Sequence, residues 1–369
     1  MGEATQTGKA TVEKLGVSAY TVPTDAPESD GTLAWDSTTM VLVEVEGGGK
    51  RGLGYTYGDL SVAKMIESKF ASLVEGADAM NPQKTWAAMQ TTIRNAGRPG
   101  VGSMAVSAVD IALWDLKAKL LDLPLADLLG RFHEGVPVYG SGGFTSYSND
   151  QLQEQLGGWA EEGIPRVKMK VGRNPEDDPD RVRAVRDAIG SDTGLLVDAN
   201  GAYTRKQALY WAEWFADADI TWLEEPVTSE DLEGLRLVRD RGPAGLSIAA
   251  GEYSWNLFYS NGLIEAGAVD VLQADVTRCS GITDLLRVDG LCKARSMPFS
   301  AHCAPQVHAH AGCAMETLIH CEYFHDHARI ESMLFDGALS PRKGTLTPDP
   351  SRPGLGIELK RSDAERYAA

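Results

Sequence analysis

The sequence predicts an α/β protein in which a TIM-like (β/α)8 barrel follows a smaller α+β domain. From about residue 136 onward, short β-rich runs alternate with longer amphipathic runs, a pattern that indicates βα units around a parallel sheet. Eight strands and their intervening helices within roughly 200 residues fit one closed barrel. The preceding region differs, because the alternation in "MVLVEVE" is typical of a half-exposed antiparallel sheet.

The predicted barrel elements follow one another at a regular pitch, and several helical runs have Asp, Ser or Asn near their start, as helix N-termini prefer. The predicted strands cover residues 136–143, 166–172, 193–200, 220–226, 246–252, 269–277, 297–303 and 318–324. The helical runs between them cover residues 149–163, 178–190, 205–218, 229–242, 255–267, 281–296 and 306–318.

The domain boundaries follow from this change of pattern. Residues 1–133 form the predicted α+β domain, in which strand-like runs come first and helical runs such as "SAVDIALWDLKAKLLDL" follow. The predicted barrel covers residues 134–340. Residues 341–369 are rich in turn-forming residues, which leaves open whether they belong to the first domain or act as a linker.

Composition narrows the class of protein. The chain has 369 residues, 43% of them hydrophobic, and a formal net charge of −17, which disfavours nucleic acid or an anionic membrane as a partner. Its five cysteines are odd in number and include no CxxC pair, so we expect reduced thiols and a cytoplasmic location. The start "MGEATQTGKA" has no apolar signal core, and no run is long enough to span a membrane.

Charged and polar side chains stand at the ends of the predicted barrel strands after the first. Active sites of such barrels form where the strands end, so these side chains are expected to converge on one mouth. Between residues 170 and 302 they recur every 23 to 28 residues, one βα unit each. The set is Lys168 and Lys170, Asp198 and Asn200, Glu224 and Glu225, Glu252, Asp275, His302 and Glu322.

Three of these residues predict a metal site. Taken singly, Asp198, Glu224 and Glu252 are each most simply a solvated strand end or a helix N-cap. Three carboxylates at one mouth repel one another unless a hard divalent cation joins them, and oxygen ligands favour Mg2+, with Mn2+ also possible. Such a cation would bind a carboxylate substrate and make its α-proton removable through an enediolate.

The stretch "RVKMKVG" directs Lys168 and Lys170 to one side of a strand, which alone is typical of an exposed face. Beside a metal site, Lys170 is a candidate base whose pKa Lys168 and the dication would lower, while Lys168 would also help hold the substrate carboxylate. His302, oriented by Asp275, is the candidate second base. Glu322, if protonated, would donate a hydrogen bond to the developing oxyanion.

A zinc site is the competing metal hypothesis. The run from 302 to 321 carries enough soft ligands for structural zinc, although their spacings match no established Cys and His pattern. These ligands are His302, Cys303, His308, His310, Cys313, His320 and Cys321.

The motifs, in chain order, resemble those of the enolase superfamily and more closely its mandelate racemase subgroup. They are "SAVDIALWDLKAKLLDLPLADLLG", "VKMK", "VDAN", "WLEEP", "AAGE", "QADVTRCSGIT", "SAH" and "HCEYF". Within "RCSGIT", Cys279 and Ser280 stand where a glycine-rich turn is more usual.

The resemblance implies a role for each residue at the barrel mouth. Mg2+ would be held by Asp198, Glu224 and Glu252. Lys170 would be one acid/base and the Asp275 and His302 dyad the other, with Glu322 as a carboxylate-binding electrophile. The first domain would cap the barrel mouth with residues 341–369 returning to it, and the protein would be a homo-oligomer.

The substrate is expected to be a small carboxylate. Residues 23–39 and 54–59 are predicted lid segments, rich in Asp, Ser, Thr and Tyr that bind a polyol; Trp35, Tyr55 and Asn200 are candidate substrate contacts. The leading prediction is dehydration of an acid sugar to a 2-keto-3-deoxy sugar acid. Racemization or epimerization of an α-hydroxy acid is the first alternative, and a non-catalytic barrel that holds a metal is the second.

Overall fold

The computed structural model describes residues 10–369. Residues 1–9, which include most of the N-terminal stretch predicted to lack a signal segment, lie outside the described part of the chain. Within the described residues, no helix is both long enough and apolar enough to cross a membrane.

An antiparallel sheet opens the chain. Its strands β1 (Lys14–Ser29), β2 (Ala34–Gly47) and β3 (Lys50–Tyr57) lie in the order β1-β2-β3. The register between β1 and β2 shifts between Pro23 and Glu28, which bends the far end of the hairpin away from the sheet. The first predicted lid segment is therefore the tip of this hairpin rather than a flexible loop, and the second is the end of β3.

Helices cover one face of this sheet. They are α1 (Ser61–Met65), a π-helical turn (Ile66–Phe70), α2 (Ala71–Val74), α3 (Pro82–Thr92) and α4 (Val101–Leu120). The short helix α5 (Leu125–Leu129) follows and packs against the barrel. The long helix α4 packs along β3, and two glycines of that strand allow the close approach. A Cβ on Gly52 would lie 2.3 Å from a carbonyl oxygen of α4, and one on Gly54 would lie 2.2 Å from another.

Eight parallel strands form the predicted barrel, which closes where the last strand pairs with the first. The strands are β4 (Val136–Gly142), β5 (Arg166–Lys170), β6 (Gly194–Asp198), β7 (Ile220–Glu224), β8 (Ser247–Ala250), β9 (Val271–Ala274), β10 (Phe299–Ala301) and β11 (Leu318–Phe324). The helices that follow them are α6 (Asn149–Glu161), α7 (Asp178–Ile189), α8 (Arg205–Asp217), α9 (Leu232–Arg241), α10 (Leu257–Glu265), α11 (Ile282–Ala294), α12 (Pro305–Cys313) and α13 (His325–Leu334).

The inside of the barrel is filled with side chains. Tyr139, Leu196, Trp222, Ala249 and Val271 form a separate apolar cluster there, contributed by five different strands. This plug closes one end of the barrel, so the polar side chains nearer the strand ends can be reached only from the mouth.

The C-terminal segment contacts both domains. β12 (Phe335–Asp336) pairs with β14 (Glu358–Leu359), and β13 (Thr345–Leu346) pairs with β4 of the barrel. After the short helix α14 (Arg361–Ala364), the N–H of Ala369 donates to the carbonyl of Ala19 in the cap. The tail thus ties the barrel to the cap, while the exact domain boundaries stay a prediction.

A buried hydrogen-bonded group joins α4 of the cap to α11 of the barrel. Asp110 accepts the backbone N–H of Thr283 at 2.9 Å and its hydroxyl at 2.7 Å. The Trp114 indole N–H donates to the same hydroxyl at 2.9 Å. All three residues are buried, so each polar atom depends on this single cluster for its partner.

We expect Thr283→Val to lower the free energy of unfolding by about 1–3 kcal/mol, because it leaves the Trp114 N–H and one Asp110 oxygen buried without a partner. Chemical denaturation of both proteins measures the difference. Thr91→Val is the matched control, since Thr91 is exposed and should change stability by less than about 0.5 kcal/mol. Equal effects of the two substitutions would contradict the role of this cluster.

Candidate active site

The strand register brings the predicted site residues to one level. Lys170 of β5 lies opposite Asp198 of β6, which lies opposite Glu224 of β7. In a parallel barrel, residues paired in this way point to the same side of the sheet. The mouth therefore receives a lysine and two carboxylates from three adjacent strands.

The three predicted metal ligands form a cluster. Asp198, Glu224 and Glu252 are all buried, and each offers an oxygen within 4.8 Å of the others. One oxygen of Glu224, Oε1, has no hydrogen-bond partner among the described residues and is thus available as a ligand. Three carboxylates with oxygen donors only are a set that suits Mg2+.

The two lysines are buried rather than on an exposed face. The ammonium of Lys168 is fully buried, 2.7 Å from Glu224 Oε2 and 2.8 Å from Glu322 Oε1. Lys170 lies 2.5 Å from Asp198. Burial and the Lys168 charge act to lower the pKa of Lys170, as the sequence predicts. Without a bound cation, however, Asp198 and the other carboxylates outweigh these two effects and hold the pKa of Lys170 above its usual value.

A second acid/base candidate faces the cluster from the other side. His302 Nδ1 is 2.9 Å from Asp275 Oδ2, and the other oxygen of Asp275 accepts the Thr277 N–H and hydroxyl, both at 2.7 Å. These bonds hold the carboxylate and orient the imidazole. The other ring nitrogen of His302, Nε2, lies 3.3 Å from Oε2 of Glu252, which belongs to the candidate metal cluster.

Glu322 is an acceptor in this structure. Its oxygens accept from the Ser141 hydroxyl at 2.6 Å, from Lys168 and from the Cys303 N–H at 3.1 Å. Burial raises the pKa of Glu322, but the charges of Lys168 and His302 lower it by a larger amount. The resulting pKa lies well below its usual value. The expectation of a protonated Glu322 that donates a hydrogen bond is therefore not supported, because its neighbours are donors and cations.

The mouth of the barrel and the β1–β2 hairpin enclose a cavity of about 440 Å3. Lys170, His302 and Glu322 line its floor, and the predicted substrate contacts Trp35 and Asn200 line its wall. The cavity is smaller than many drug-binding sites and suits a small polar molecule. Hydroxyl, carboxylate and amide groups supply most of its lining outside the floor.

Two predicted substrate contacts lie elsewhere. Tyr55 is fully buried and donates its hydroxyl to Glu331 at 2.6 Å, so it supports the fold behind the cavity. Tyr57, two residues on, lines the cavity and stacks on His327. Lys168 is likewise too deeply buried to line the cavity and instead holds the carboxylates around it.

The sequence interpretation missed several residues that shape the floor. Arg278 lies 3.3 Å from Glu252 and lines the cavity, and Cys303 lies 3.3 Å from His302 Nε2. Arg278 lies within the motif "QADVTRCSGIT", and Cys303, considered only as a zinc ligand, directly follows "SAH", so these positions were the available signal. Nothing local in the sequence could pair Ser141 with Glu322, which is 181 residues away.

The soft ligands of the zinc hypothesis are dispersed. His308 accepts the Val276 N–H through Nε2, and its Nδ1 lies 2.8 Å from the Cys303 carbonyl. His320 bonds to Ser300. Within residues 10–369 no three of the seven Cys and His residues form a cluster of metal-ligand atoms, so structural zinc from that set alone is not supported.

Similarity to known proteins agrees with this geometry. Residues 16–130 match the N-terminal domain model of the mandelate racemase / muconate lactonizing enzyme family, and residues 151–364 match the enolase C-terminal domain-like model. The chain belongs to the mandelate racemase subgroup of the enolase superfamily. As a member of this superfamily it is an enzyme, with the barrel and capping domain that the subgroup resemblance predicts.

Within the subgroup, the 3,6-anhydro-alpha-L-galactonate cycloisomerase of Streptomyces coelicolor is 34% identical over 94% of this chain and 97% of its own length. A mandelate racemase/muconate lactonizing enzyme-like protein from Rubrobacter xylanophilus is 71% identical, with a TM-score of 0.96 over 97% of this chain and 100% of that one.

The L-talarate/galactarate dehydratase of Salmonella typhimurium, solved with Mg and L-lyxarohydroxamate, is 29% identical, with a TM-score of 0.88 over 100% of this chain and 95% of that one. Other relatives include an arabinonate dehydratase, a D-galactarolactone cycloisomerase and a hydrophobic dipeptide epimerase.

A pair of acids anchors the hairpin above the cavity. Glu28 of β1 lies against Asp326 of α13, and burial followed by the Asp326 charge raises the pKa of Glu28 to about 9. The Trp35 indole N–H donates to Glu28 at 2.8 Å, and Thr38 donates to Asp326 at 2.9 Å. We therefore expect Glu28 to hold a proton at neutral pH and to share it with Asp326.

We expect the stability of the protein to fall relative to that of Glu28→Gln as the pH rises from about 6 to about 9. The raised pKa means that the Glu28 contribution is complete below the unfolded pKa and is lost as the pH approaches the folded value, at no more than about 1.4 kcal/mol per pH unit. Unfolding free energies of both proteins at several pH values measure this difference.

In the Glu28→Gln variant, the new side-chain amide keeps a donor for Asp326 but does not titrate. Glu67→Gln, at an exposed carboxylate of the cap, is the control and should follow the unmodified protein. Parallel pH profiles for the unmodified protein and Glu28→Gln would refute the shared proton.

Proposed function

We propose that this protein is a Mg2+-dependent dehydratase that converts an acid sugar to a 2-keto-3-deoxy sugar acid. The observation that carries the proposal is the placement of two acid/base groups on either side of the carboxylate cluster. Lys170 contacts Asp198 at one end of it, and His302 contacts Glu252 at the other. Both groups line the same cavity.

Mg2+ fits the site because Asp198, Glu224 and Glu252 converge with oxygen donors, one of them without another partner. When bound, Mg2+ supplies positive charge that acidifies the carbon next to a substrate carboxylate. Lys168 keeps Glu224 and Glu322 in place beneath it. Arg278 does the same for Glu252 from the side.

The proposed reaction needs one base and one acid. One of Lys170 and His302 takes the α-proton, and the other protonates the 3-hydroxyl, which leaves as water. The C–H electron pair forms the new carbon–carbon double bond as the C–O bond breaks, and the resulting enol becomes the 2-keto-3-deoxy product. Asp275 stabilises His302 when the imidazole carries the proton.

The cavity wall supports a polyhydroxylated substrate. Ser37, Thr38, Thr39, Asp30 and Asn200 line it, and each is able to bind a hydroxyl group. The relatives that act on sugar acids, as dehydratases or cycloisomerases, point to the same substrate class.

Racemization or epimerization is the second candidate, and the same pair of bases favours it. A base on each side of one carbon is the arrangement that removes a proton from one face and returns it to the other. A cycloisomerase would use the pair similarly, with an intramolecular oxygen as the leaving group. The three reactions share the first step and differ in whether a C–O bond breaks and whether water is released.

We also propose that the enzyme acts in the cytoplasm as a homo-oligomer. All five cysteines are free thiols, which agrees with a reducing compartment. Sedimentation of the purified protein tests the oligomer directly.

The first test is proton NMR in D2O with Mg2+ and a pool of aldonates, aldarates, their lactones and α-hydroxy acids. Loss of the α-proton together with a new 3-deoxy signal is expected. Exchange of the α-proton without elimination would indicate racemization or epimerization instead of dehydration. Opening or closure of a lactone would indicate cycloisomerization. Silence across the pool, with Mg2+ bound, would favour the non-catalytic barrel.

The second test separates the two bases. Lys170→Met and His302→Asn should each lower kcat by about 10²-fold or more on the substrate found above. Each variant should still exchange the proton that its remaining base removes. Lys64→Met, at an exposed lysine of the cap, is the control and should retain activity. Full turnover by either site variant would overturn the assignment.

A further inference from the structure

Three different donor atoms meet at the end of β10, beside the carboxylate cluster. His302 Nε2 lies 3.3 Å from Cys303 Sγ and 3.5 Å from Glu322 Oε2. Cys303 Sγ lies 3.3 Å from the same Glu322 oxygen. An imidazole nitrogen, a thiol sulfur and a carboxylate oxygen thus form a nearly equilateral triangle that faces the cavity.

The edges of this triangle match those of a tetrahedral metal site. Zinc bonds to N, O and S ligands at about 2.0–2.3 Å, so the ligands of a regular tetrahedron lie about 3.3–3.7 Å apart. The three measured separations lie at or within a few tenths of an ångström of this range. Binding would therefore require little movement of the protein.

The surroundings already orient the imidazole as a metal ligand. Asp275 holds Nδ1 of His302, which directs Nε2 toward Cys303, Glu322 and Glu252. A carboxylate behind a histidine is the usual arrangement at zinc sites, because it fixes the ring and raises its basicity. Cys303 has a backbone φ of 51°, in the left-handed region, and its own N–H donates to Glu322 Oε2, so the loop that carries the thiol is held against the glutamate.

We propose that His302, Cys303 and Glu322 form a second metal site, which binds a thiophilic divalent cation such as Zn2+ and inhibits the enzyme. The cation takes Nε2 of His302, the Sγ of Cys303 and one oxygen of Glu322, and both the thiol proton and the proton on Nε2 leave to solvent. The fourth position faces the cavity, where water or a substrate hydroxyl completes the tetrahedron.

This site adjoins the three-carboxylate cluster, since His302 Nε2 also lies 3.3 Å from Glu252 Oε2, but it offers different donor atoms. Asp198, Glu224 and Glu252 offer oxygen alone, which suits a hard cation, whereas the proposed second site offers nitrogen and sulfur. Occupation of the second site leaves His302 without a free nitrogen. The predicted inhibition of the enzyme therefore rests on the proposed function, in which His302 acts as a base. Binding of the cation to the second site does not depend on that function.

Cadmium is the probe for binding, because its bond to a thiolate absorbs in the ultraviolet. The full-length protein is saturated with Mg2+ and titrated with Cd2+. We expect a thiolate–cadmium band that saturates at one equivalent. Cys303→Ser should lose the band and bind Cd2+ at least about tenfold more weakly. Cys292→Ala removes a buried thiol of α11 outside the cavity and should keep both.

Thermal unfolding of both variants checks that they are folded, and Cys303→Ala provides a second version of the thiol deletion. Unchanged Cd2+ affinity in a folded Cys303 variant, or loss of the band in Cys292→Ala, would overturn the site. Failure of the unmodified protein to bind Cd2+ would do the same.

Zinc tests the functional consequence. With the substrate found by NMR, Zn2+ should inhibit the Mg2+-saturated enzyme, and raising Mg2+ about tenfold should not relieve the inhibition. Each variant is compared with its own uninhibited rate, and Cys303→Ser should need at least about tenfold more Zn2+. Inhibition that Mg2+ reverses equally in both proteins would place Zn2+ in the carboxylate cluster and refute the inference. Cadmium binding in a protein that turns over no substrate would refute the proposed function alone.

Discussion

The structure depends on a network of buried opposite charges at the mouth of the barrel. Lys168 is fully enclosed, and its contacts with Glu224, Glu322 and Asp198 offset the cost of removing its charge from water. Removing one of these partners would leave charge inside the barrel less well paired, which proteins rarely tolerate. The network thus links β5, β7 and β11, which supply Lys168, Glu224 and Glu322, across the inside of the barrel.

The capping domain completes the site by enclosing it. The β1–β2 hairpin reaches over the barrel mouth, and its side chains form the wall of the cavity in which Lys170 and His302 lie at the two ends of the carboxylate cluster. Water is partly excluded, and charges in such a setting interact more strongly than they do in bulk solvent. The acid pair Glu28 and Asp326 lies between this hairpin and the barrel, so we expect closure of the cavity to depend on the pH at which Glu28 titrates.

The two halves of the site differ in their donor chemistry. One side offers carboxylate oxygens from Asp198, Glu224 and Glu252, and the other offers a nitrogen and a sulfur from His302 and Cys303. A hard cation is needed for the proposed chemistry, while a soft cation on the other side would remove the base. The same convergence that creates the proposed catalytic arrangement therefore also creates the proposed inhibitory site.

The amino-acid sequence was sufficient to predict the architecture and most of the residues on the barrel floor. All eight predicted strands are present because βα units of regular length carry a strong and local signal, and the strand ends follow from their positions. Lys170, Asp198, Glu224, Glu252, Asp275 and His302 meet for that reason, since parallel strands must end on one side.

Which groups line the cavity and which support the fold became clear only from the packed structure. Tyr55 and Tyr57 are two residues apart, yet the first is turned into the core by Glu331 and the second reaches the cavity. Lys168 and Lys170 differ in the same way, because the level of each residue within the barrel determines its depth. The ionisation of Glu322 depends on Lys168, Ser141 and Cys303, which arrive from distant parts of the chain. Long-range electrostatics and depth of burial are properties of the packed barrel, and local sequence patterns do not encode them.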